Sequence, residues 1–289
     1  MKVDEIRTIA VLGAGTMGNG IAHVFARRGY EVILRDVEES FLTRARDTIA
    51  KNLDREVKKE KITESEKSQT LGRIHTTTDF SAIARADFAV EAVPERLDLK
   101  LSVLREADKL LPPEAILASN TSSISVTTLA AATRRPDRFI GMHFMNPVPV
   151  MVLIEVIRAL QTSDETFLAT MALCERLEKK PVAVNDAPGF VSNRVLLPMI
   201  NEAAFAVMEG VATAEAVDSV MKLGMNHPMG PLELADFIGL DVCVNILDVL
   251  LEGYGDPKYR ACPLLRKMVA AGWLGRKSGR GFYNYPAKV

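Results

Sequence analysis

The run GAGTMG, residues 13–18, constrains this chain more than any other stretch. Gly13, Gly15 and Gly18 stand in the G-x-G-x-x-G spacing, directly after the apolar run TIAVL and at the start of a helical pattern. Each glycine has a physical task. Gly13 allows a tight turn, Gly15 lets the backbone approach a pyrophosphate, and Gly18 lets the helix pack close to its strand. Thr16 and Met17 fill the positions between the last two glycines, at the amino end of the helix, where unpaired N–H groups and the helix dipole favour phosphate. A glycine turn alone is a weak signal. Here a second apolar run, EVILRD, ends in Asp36 about 20 residues on, which is the context a dinucleotide site demands. An acid there suits a ribose 2′-hydroxyl and repels a 2′-phosphate, so the predicted cofactor is NAD rather than NADP. Arg35, beside it, argues the other way. The bland alternative is a glycine turn followed by a surface aspartate at a strand end.

The alternation continues beyond the fingerprint. Short apolar runs at residues 88–93, 115–119, 139–144 and 152–157 are strand candidates, and helical patterns occupy 18–28, 41–59, 97–110 and 125–132. Such alternation predicts an α/β fold with a mostly parallel, Rossmann-type sheet, and continuous apolar strands suit a sheet covered on both faces. After the strand-like KKPVAVN the pattern becomes helical throughout, at 193–210, 213–224, 241–251 and 263–272. A domain boundary is therefore predicted near residue 185, dividing an NAD-binding domain (1–185) from an all-helical one (186–289). The second set of helices is apolar enough to predict burial against a second subunit.

Composition limits the remaining options. A formal net charge of −1 gives no global pull toward nucleic acid or an anionic membrane. No apolar run reaches the roughly 20 residues of a membrane helix. The start, MKVDEIRTIAVLGAG, carries charges where a secretory leader needs an apolar stretch. Cys174, Cys243 and Cys262 are scattered, which fits the reducing cytoplasm better than a disulfide framework. His23, His75, His143 and His227 are far apart and in no zinc-ligand spacing, so no metal site is predicted.

FIGMHFMNPVPVMVLIEVI, residues 139–157, is nearly all apolar apart from His143, Asn146 and Glu155. A carboxylate in an apolar strand is costly to bury without a partner. His143 and Glu155 are equidistant from Pro149. A chain reversal around the Asn-Pro-Val-Pro segment is predicted to bring them face to face.

Five strings resemble one family: SNTSSIS (119–125), GMHFMNPVPVMVLIEVI (141–157), APGFVSNR (187–194), NHPMGPLELADFIGLD (226–241) and GWLGRKSGRGFYNY (272–285). Together they are similar to the 3-hydroxyacyl-CoA dehydrogenases along essentially the whole chain. The resemblance implies a Rossmann-type domain followed by a helical dimerisation domain, a homodimer, and NAD-dependent oxidation of a 3-hydroxyacyl thioester. At this length the closest form is the short bacterial one that interconverts 3-hydroxybutyryl-CoA and acetoacetyl-CoA. By position it implies His143 as base, Glu155 as the acid that orients it, Ser122 as a contact to substrate and nicotinamide, and Asn193 as a contact to the substrate carbonyl. It also implies cofactor contacts from Glu95, Lys100, Asn146 and Lys277. The CoA side falls to the helix with Arg44, Lys51, Arg55 and Lys58 on one face, with Asn52 and Lys59 matching family contacts. Met145, Val152 and Ser192 depart from the family pattern; the first two bear on acyl-chain preference. Two alternatives keep the fold: a sugar-acid dehydrogenase, and a non-enzymatic NADH-binding protein.

Overall fold

The computed structural model describes residues 2–286. The chain divides between Ala187 and Pro188 into two compact units. The sequence places the boundary after residue 185, where the strand pattern stops. Asp186 nevertheless holds with the first unit, because its carboxylate accepts hydrogen bonds from Ser125 Oγ (2.7 Å) and from the backbone N–H groups of Val126 (3.1 Å) and Thr127 (2.8 Å).

The first unit begins with β1 (Thr8–Leu12), α1 (Thr16–Arg27), β2 (Glu31–Arg35), α2 (Glu39–Lys58), α3 (Glu64–Gly72) and β3 (Ile74–Thr77). It continues with β4 (Phe88–Glu91), α4 (Leu97–Leu110), β5 (Ile116–Ser119), α5 (Val126–Ala131) and β6 (Phe139–Phe144). Then come β7 (Leu153–Arg158), α6 (Asp164–Arg176) and β8 (Lys180–Asn185). All eight strands form one sheet in the order β3-β2-β1-β4-β5-β6-β7-β8. Neighbours are parallel except β6 and β7, which are antiparallel. Strands β4, β5 and β6 are buried at every residue, as two covered faces require. The core joins Ile9, Val11, Phe25, Leu34, Val90, Ile140, Met142 and Phe144.

Three elements of this unit are ones the sequence reading does not name. The edge strand β3 has a single buried residue, Ile74, so it carries no apolar run. Helix α3 has a weak apolar face but a clear start, since Thr63 and Glu66 form a reciprocal capping box. Helix α6 is capped by Ser163, whose side chain accepts from Thr166 N–H.

The second unit holds α7 (Ser192–Met208), α8 (Ala214–Gly224), α9 (Pro231–Ile238), α10 (Leu240–Tyr254) and α11 (Pro263–Ala270). Its core includes Leu197, Ile200, Leu232, Leu247, Leu250 and Leu265. Two buried carboxylates organise it. Asp218 accepts from Leu232 N–H (2.8 Å) and Glu233 N–H (2.9 Å), capping α9 from a neighbouring helix, and from Tyr283 Oη (2.7 Å). Asp236 accepts from Phe282 N–H (3.0 Å), Tyr283 N–H (2.9 Å) and Tyr285 Oη (3.0 Å). A side chain at Gly281 would begin 1.9 Å from the Asp236 carboxylate, and one at Gly230 2.2 Å from that of Asp218. NHPMGPLELADF and GRGFYNY are thus two halves of one buried hydrogen-bonded seam.

Candidate active site

The strand order reverses at β1, with β2 and β3 on one side and β4 to β8 on the other. In open α/β sheets ligands bind at such a point, outside the carboxyl ends of the strands. The fingerprint loop lies there. Gly13 takes φ +108°, and a Cβ on it would sit 2.7 Å from the carbonyl oxygen of Ala92 in the loop after β4. Gly13 N–H donates to Arg35 O at 2.8 Å. A Cβ on Gly18 would lie 1.7 Å from Gly13 O, so the helix start and the turn are in contact. Around Gly15 the space is open: nothing lies within 4 Å of a Cβ built there. Gly15 is the N-cap of α1 and offers no side chain to the first-turn N–H groups. Thr16 is exposed and Met17 half-buried. Asp36 accepts from Ala14 N–H (2.6 Å) and Val37 N–H (2.7 Å), which fixes its carboxylate beside the loop. The Arg35 guanidinium is directed onto the Phe80 ring, 4.3 Å from its centroid. The open approach at Gly15, the uncapped helix end and the anchored Asp36 fit a dinucleotide with a free ribose diol.

A carboxylate cluster extends this edge across β4 and β5. Glu91, the last residue of β4, is fully buried; it accepts from Lys100 Nζ (2.7 Å), Ser119 Oγ (2.5 Å) and Val93 N–H (2.7 Å). The Lys100 ammonium, also buried, reaches Glu95 Oε2 (3.2 Å) and Val93 O (3.2 Å) as well. Glu95 Oε1 in turn accepts from Thr121 Oγ1 (2.6 Å), from Ser122 N–H and Ser123 N–H (2.9 Å each), and from Ser123 Oγ (2.9 Å). Burial pushes the Glu95 carboxyl up, but the Lys100 charge and the hydrogen bonds from Thr121, Ser122 and Ser123 outweigh it and hold the group below its ordinary value. Lys100 therefore anchors Glu95, and Glu95 shapes the loop that carries Ser122. Helix α5 is capped by Ser125, not Ser122. Asn120 Oδ1 accepts from Phe144 N–H (2.9 Å) and ties this loop to the end of β6. Sequence reasoning assigns nothing to Glu91 or Asn120. The signal for Glu91 is an acid closing an apolar strand, FAVE.

His143 and Glu155 are direct cross-strand partners in the antiparallel pair β6–β7. The ring Nδ1 lies 2.8 Å from Glu155 Oε2. A carboxylate only accepts, so Nδ1 carries the hydrogen and donates it. Both groups are buried, at 8% and 2% exposure. Asn146 is exposed in the turn that joins the strands, and its bond to Pro147 is cis. Met145 is half-buried, and Val152 stands 53% exposed.

The remaining predicted residues lie on one other element of the first unit, α2, and in the second unit. Arg44, Lys51, Arg55 and Lys58 all lie on exposed α2 surface; Asn52 accepts from Arg55 Nη1 (3.1 Å), and Lys59 caps the helix end. In the second unit Asn193 falls in the first turn of α7, whose N-cap is Val191. Lys277 donates to Asp241 Oδ2 at 2.7 Å.

Comparison with known proteins gives the class. Residues 8–187 match the description "3-hydroxyacyl-CoA dehydrogenase, NAD binding domain", and residues 189–285 match "3-hydroxyacyl-CoA dehydrogenase, C-terminal domain". The chain belongs to the 3-hydroxyacyl-CoA dehydrogenase family, and its first unit is the family's NAD-binding domain. Among individual relatives it is 56% identical over 285 residues to a "Probable 3-hydroxybutyryl-CoA dehydrogenase" of Bacillus subtilis (strain 168), covering 99% of each chain. It is 53% identical over 280 residues to a 3-hydroxybutyryl-CoA dehydrogenase of Bradyrhizobium diazoefficiens, covering 97% of this chain and 96% of that one. The crystal structure of (S)-3-hydroxybutyryl-CoA dehydrogenase from Ralstonia eutropha superposes with a TM-score of 0.95 at 52% identity, over 97% of this chain and 99% of that one.

Proposed function

We propose that this chain interconverts (S)-3-hydroxybutyryl-CoA and acetoacetyl-CoA with NAD, using His143 as the base and Glu155 as the residue that orients it. The observation that carries this reading is the buried 2.8 Å Nδ1 to Oε2 contact, at the carboxyl edge of an NAD-binding sheet. Glu155 holds Nδ1 as the donor, so proton exchange with the C3 hydroxyl falls to Nε2 of the same ring. An imidazole suits the task because its ordinary pKa is near neutrality. As the alcohol becomes a ketone, the imidazolium that forms is stabilised by the Glu155 carboxylate. Bound NAD supplies the hydride acceptor. The glycine loop and the α1 amino end are assigned its pyrophosphate, and Asp36 its adenosine ribose. Glu95, Asn146 and Lys277 are assigned further cofactor contacts by their places in the family motifs, and Lys100 supports Glu95. Ser122, held by Glu95 through its backbone N–H, is assigned the C3 oxygen by its place in the family motif. Asn193 is assigned the thioester carbonyl, an oxyanion-type contact. The cationic face of α2, with Lys51, Asn52 and Lys59, is assigned the phosphates of CoA.

The assembly we infer is a homodimer in the cytoplasm. The second unit leaves Val211, Val220, Leu223 and Met225 60% to 88% exposed, an apolar surface suited to a second copy. The three cysteines are free thiols, and no helix among the described residues is long and apolar enough to cross a membrane. NADH oxidation with acetoacetyl-CoA, beside free acetoacetate and the keto form of a sugar acid, tests the activity. Turnover is expected with the thioester alone. Equal turnover with the keto sugar acid, or none with any of the three, overturns the assignment.

A further inference from the structure

The turn between β6 and β7 must keep His143 opposite Glu155, yet little in it holds itself together. Its sequence, PVPVMV, is apolar, and Val150 and Val152 are exposed at 72% and 53%. Val150 N–H and Met151 N–H both bond to one carbonyl, that of Pro147. The support comes from outside, on two sides. On one side, Val148 is buried against α1: a Cβ on Gly20 would sit 2.8 Å from Val148 Cβ, so only a glycine lets helix and turn meet. On the other side stand Lys179 and Lys180, at the entry to β8. Lys179 Nζ donates to Val148 O at 2.6 Å and to Met151 O at 2.7 Å, and Lys180 N–H donates to Val152 O at 2.7 Å. Three carbonyls of the turn are thus taken by two adjacent residues.

Lys179 is the unusual member. Its side chain is 8% exposed, and among the described residues its partners are carbonyls, with no carboxylate within ion-pair reach. Burial and the nearby charge of Arg28 both push its ammonium below the ordinary lysine value. A buried ammonium without a counter-ion is a costly way to fill space. A rotatable set of three donors, however, holds two carbonyls that point at one spot. We propose that Lys179 is a positioning residue for the reaction: by gripping Val148 O and Met151 O it fixes the β6–β7 turn, and through it the separation of His143 and Glu155. It touches neither reacting atom. Its effect passes through the hairpin, whose two strands diverge or slide if the turn loosens.

The inference rests on the reading of His143 as the base, and His143→Ala tests that reading without touching Lys179. Three chains are compared: Lys179→Met, which keeps length but not charge or donors; Lys179→Arg, which keeps both; and Asp108→Asn. Asp108 is buried at the opposite end of the sheet, where it pairs with Arg134 and Arg135, so its loss destabilises the unit far from the turn. In Lys179→Met, kcat is expected to fall by about ten- to a hundredfold, the order of effect of a misplacement of about 1 Å. The KM for acetoacetyl-CoA and the Kd for NADH should stay within about threefold, because uniform binding is not what is lost. Lys179→Arg should recover part of the kcat. Asp108→Asn should lower Tm at least as much as Lys179→Met while leaving kcat near the parent value. An independent readout is the Nδ1–H proton of His143 in histidine-labelled protein, identified by its loss in His143→Gln. A carboxylate acceptor deshields it; in Lys179→Met it should broaden or move upfield, and in Asp108→Asn stay in place. That resonance reports the clamp even if His143 is not the base. An unmoved resonance, or a kcat loss no larger than that of Asp108→Asn, overturns the proposal. If Lys179→Met yields only aggregate, Lys179→Gln takes its place, and parent-like kcat and resonance in that chain overturn it equally.

Discussion

A carboxylate beside an imidazole has two separable effects, orientation and charge, and Glu155 supplies both from one cross-strand position. Glu155→Gln keeps an acceptor oxygen for the ring N–H but removes the charge that stabilises the imidazolium. Its kcat for acetoacetyl-CoA reduction is expected to fall by about a hundredfold or more. On the proposed reading His143→Ala removes the group that gives the ketone oxygen its proton and should fall further, while NADH titrated by fluorescence binds either chain as tightly as the parent. Near-parent turnover in His143→Ala removes the ring from the reaction, and lost NADH binding moves its role to the cofactor. This pair was legible in the sequence because two polar residues in an apolar run, symmetric about Pro149, announce a hairpin with facing partners. Lys179 was not. A cation that binds carbonyls has no complementary charge anywhere in the sequence, and every residue supplies a carbonyl. Glu91 sat between these cases: its burial follows from the strand FAVE, but Lys100 and Ser119 as partners follow only from the fold.

At the scale of elements, the helices and strands with one sustained apolar face were readable, and those without were not. Helix α4 spans Leu97–Leu110, the range its period predicts, whereas β3 contributes one inward residue and α9 eight residues with a proline at the start. In the second unit the long resemblance strings are legible as signatures but not as chemistry. Several of their residues belong to the buried seam of Asp218 and Asp236, whose partners are backbone N–H groups and tyrosines. Helix α2 is the reverse case, where the pattern exposes the face and leaves its purpose to experiment. Leu42, Ala45, Ile49 and Leu53 hold it to the core, and Lys51 and Lys59 point charge outward. Reversing both in Lys51→Glu/Lys59→Glu should raise the acetoacetyl-CoA KM by roughly tenfold at low ionic strength, shrinking with added salt as exposed charges are screened. NADH affinity and kcat at saturation should not move. A KM unchanged at every salt concentration takes α2 out of the CoA site.

Over the whole molecule, stability in acid depends on which buried groups titrate first, and the first unit places a histidine ahead of its carboxylates. His23 lies on α1 at 1% exposure, with Nε2 3.5 Å from Glu56 and, among the described residues, no hydrogen-bond partner for Nδ1. Burial, reinforced by the charges of Arg27 and Lys179, lowers its pKa to about 4. The unfolded chain takes up this proton near the ordinary value of 6.5, and the folded chain refuses it until about 4. A depressed folded pKa contributes stability that is complete above 6.5 and is lost as pH falls toward 4. At 1.36 kcal/mol per unit this amounts to about 3 kcal/mol, reduced by whatever Glu56 returns to the charged ring. The depressed carboxylates act later. Burial opposes the shift in both, but Lys100 and its loop hold Glu95 below its ordinary 4.5, and Arg135 and Arg134 hold Asp108 below 3.8, so their contributions are lost only at lower pH. The interval from pH 6.5 to 4.5 therefore belongs to His23 among the groups whose shift has this sign. Calorimetric Tm is expected to fall across it in the parent chain and to stay nearly level in His23→Phe, which fills a similar volume without a titrating group. A parallel decline in both chains would place the acid-sensitive group elsewhere.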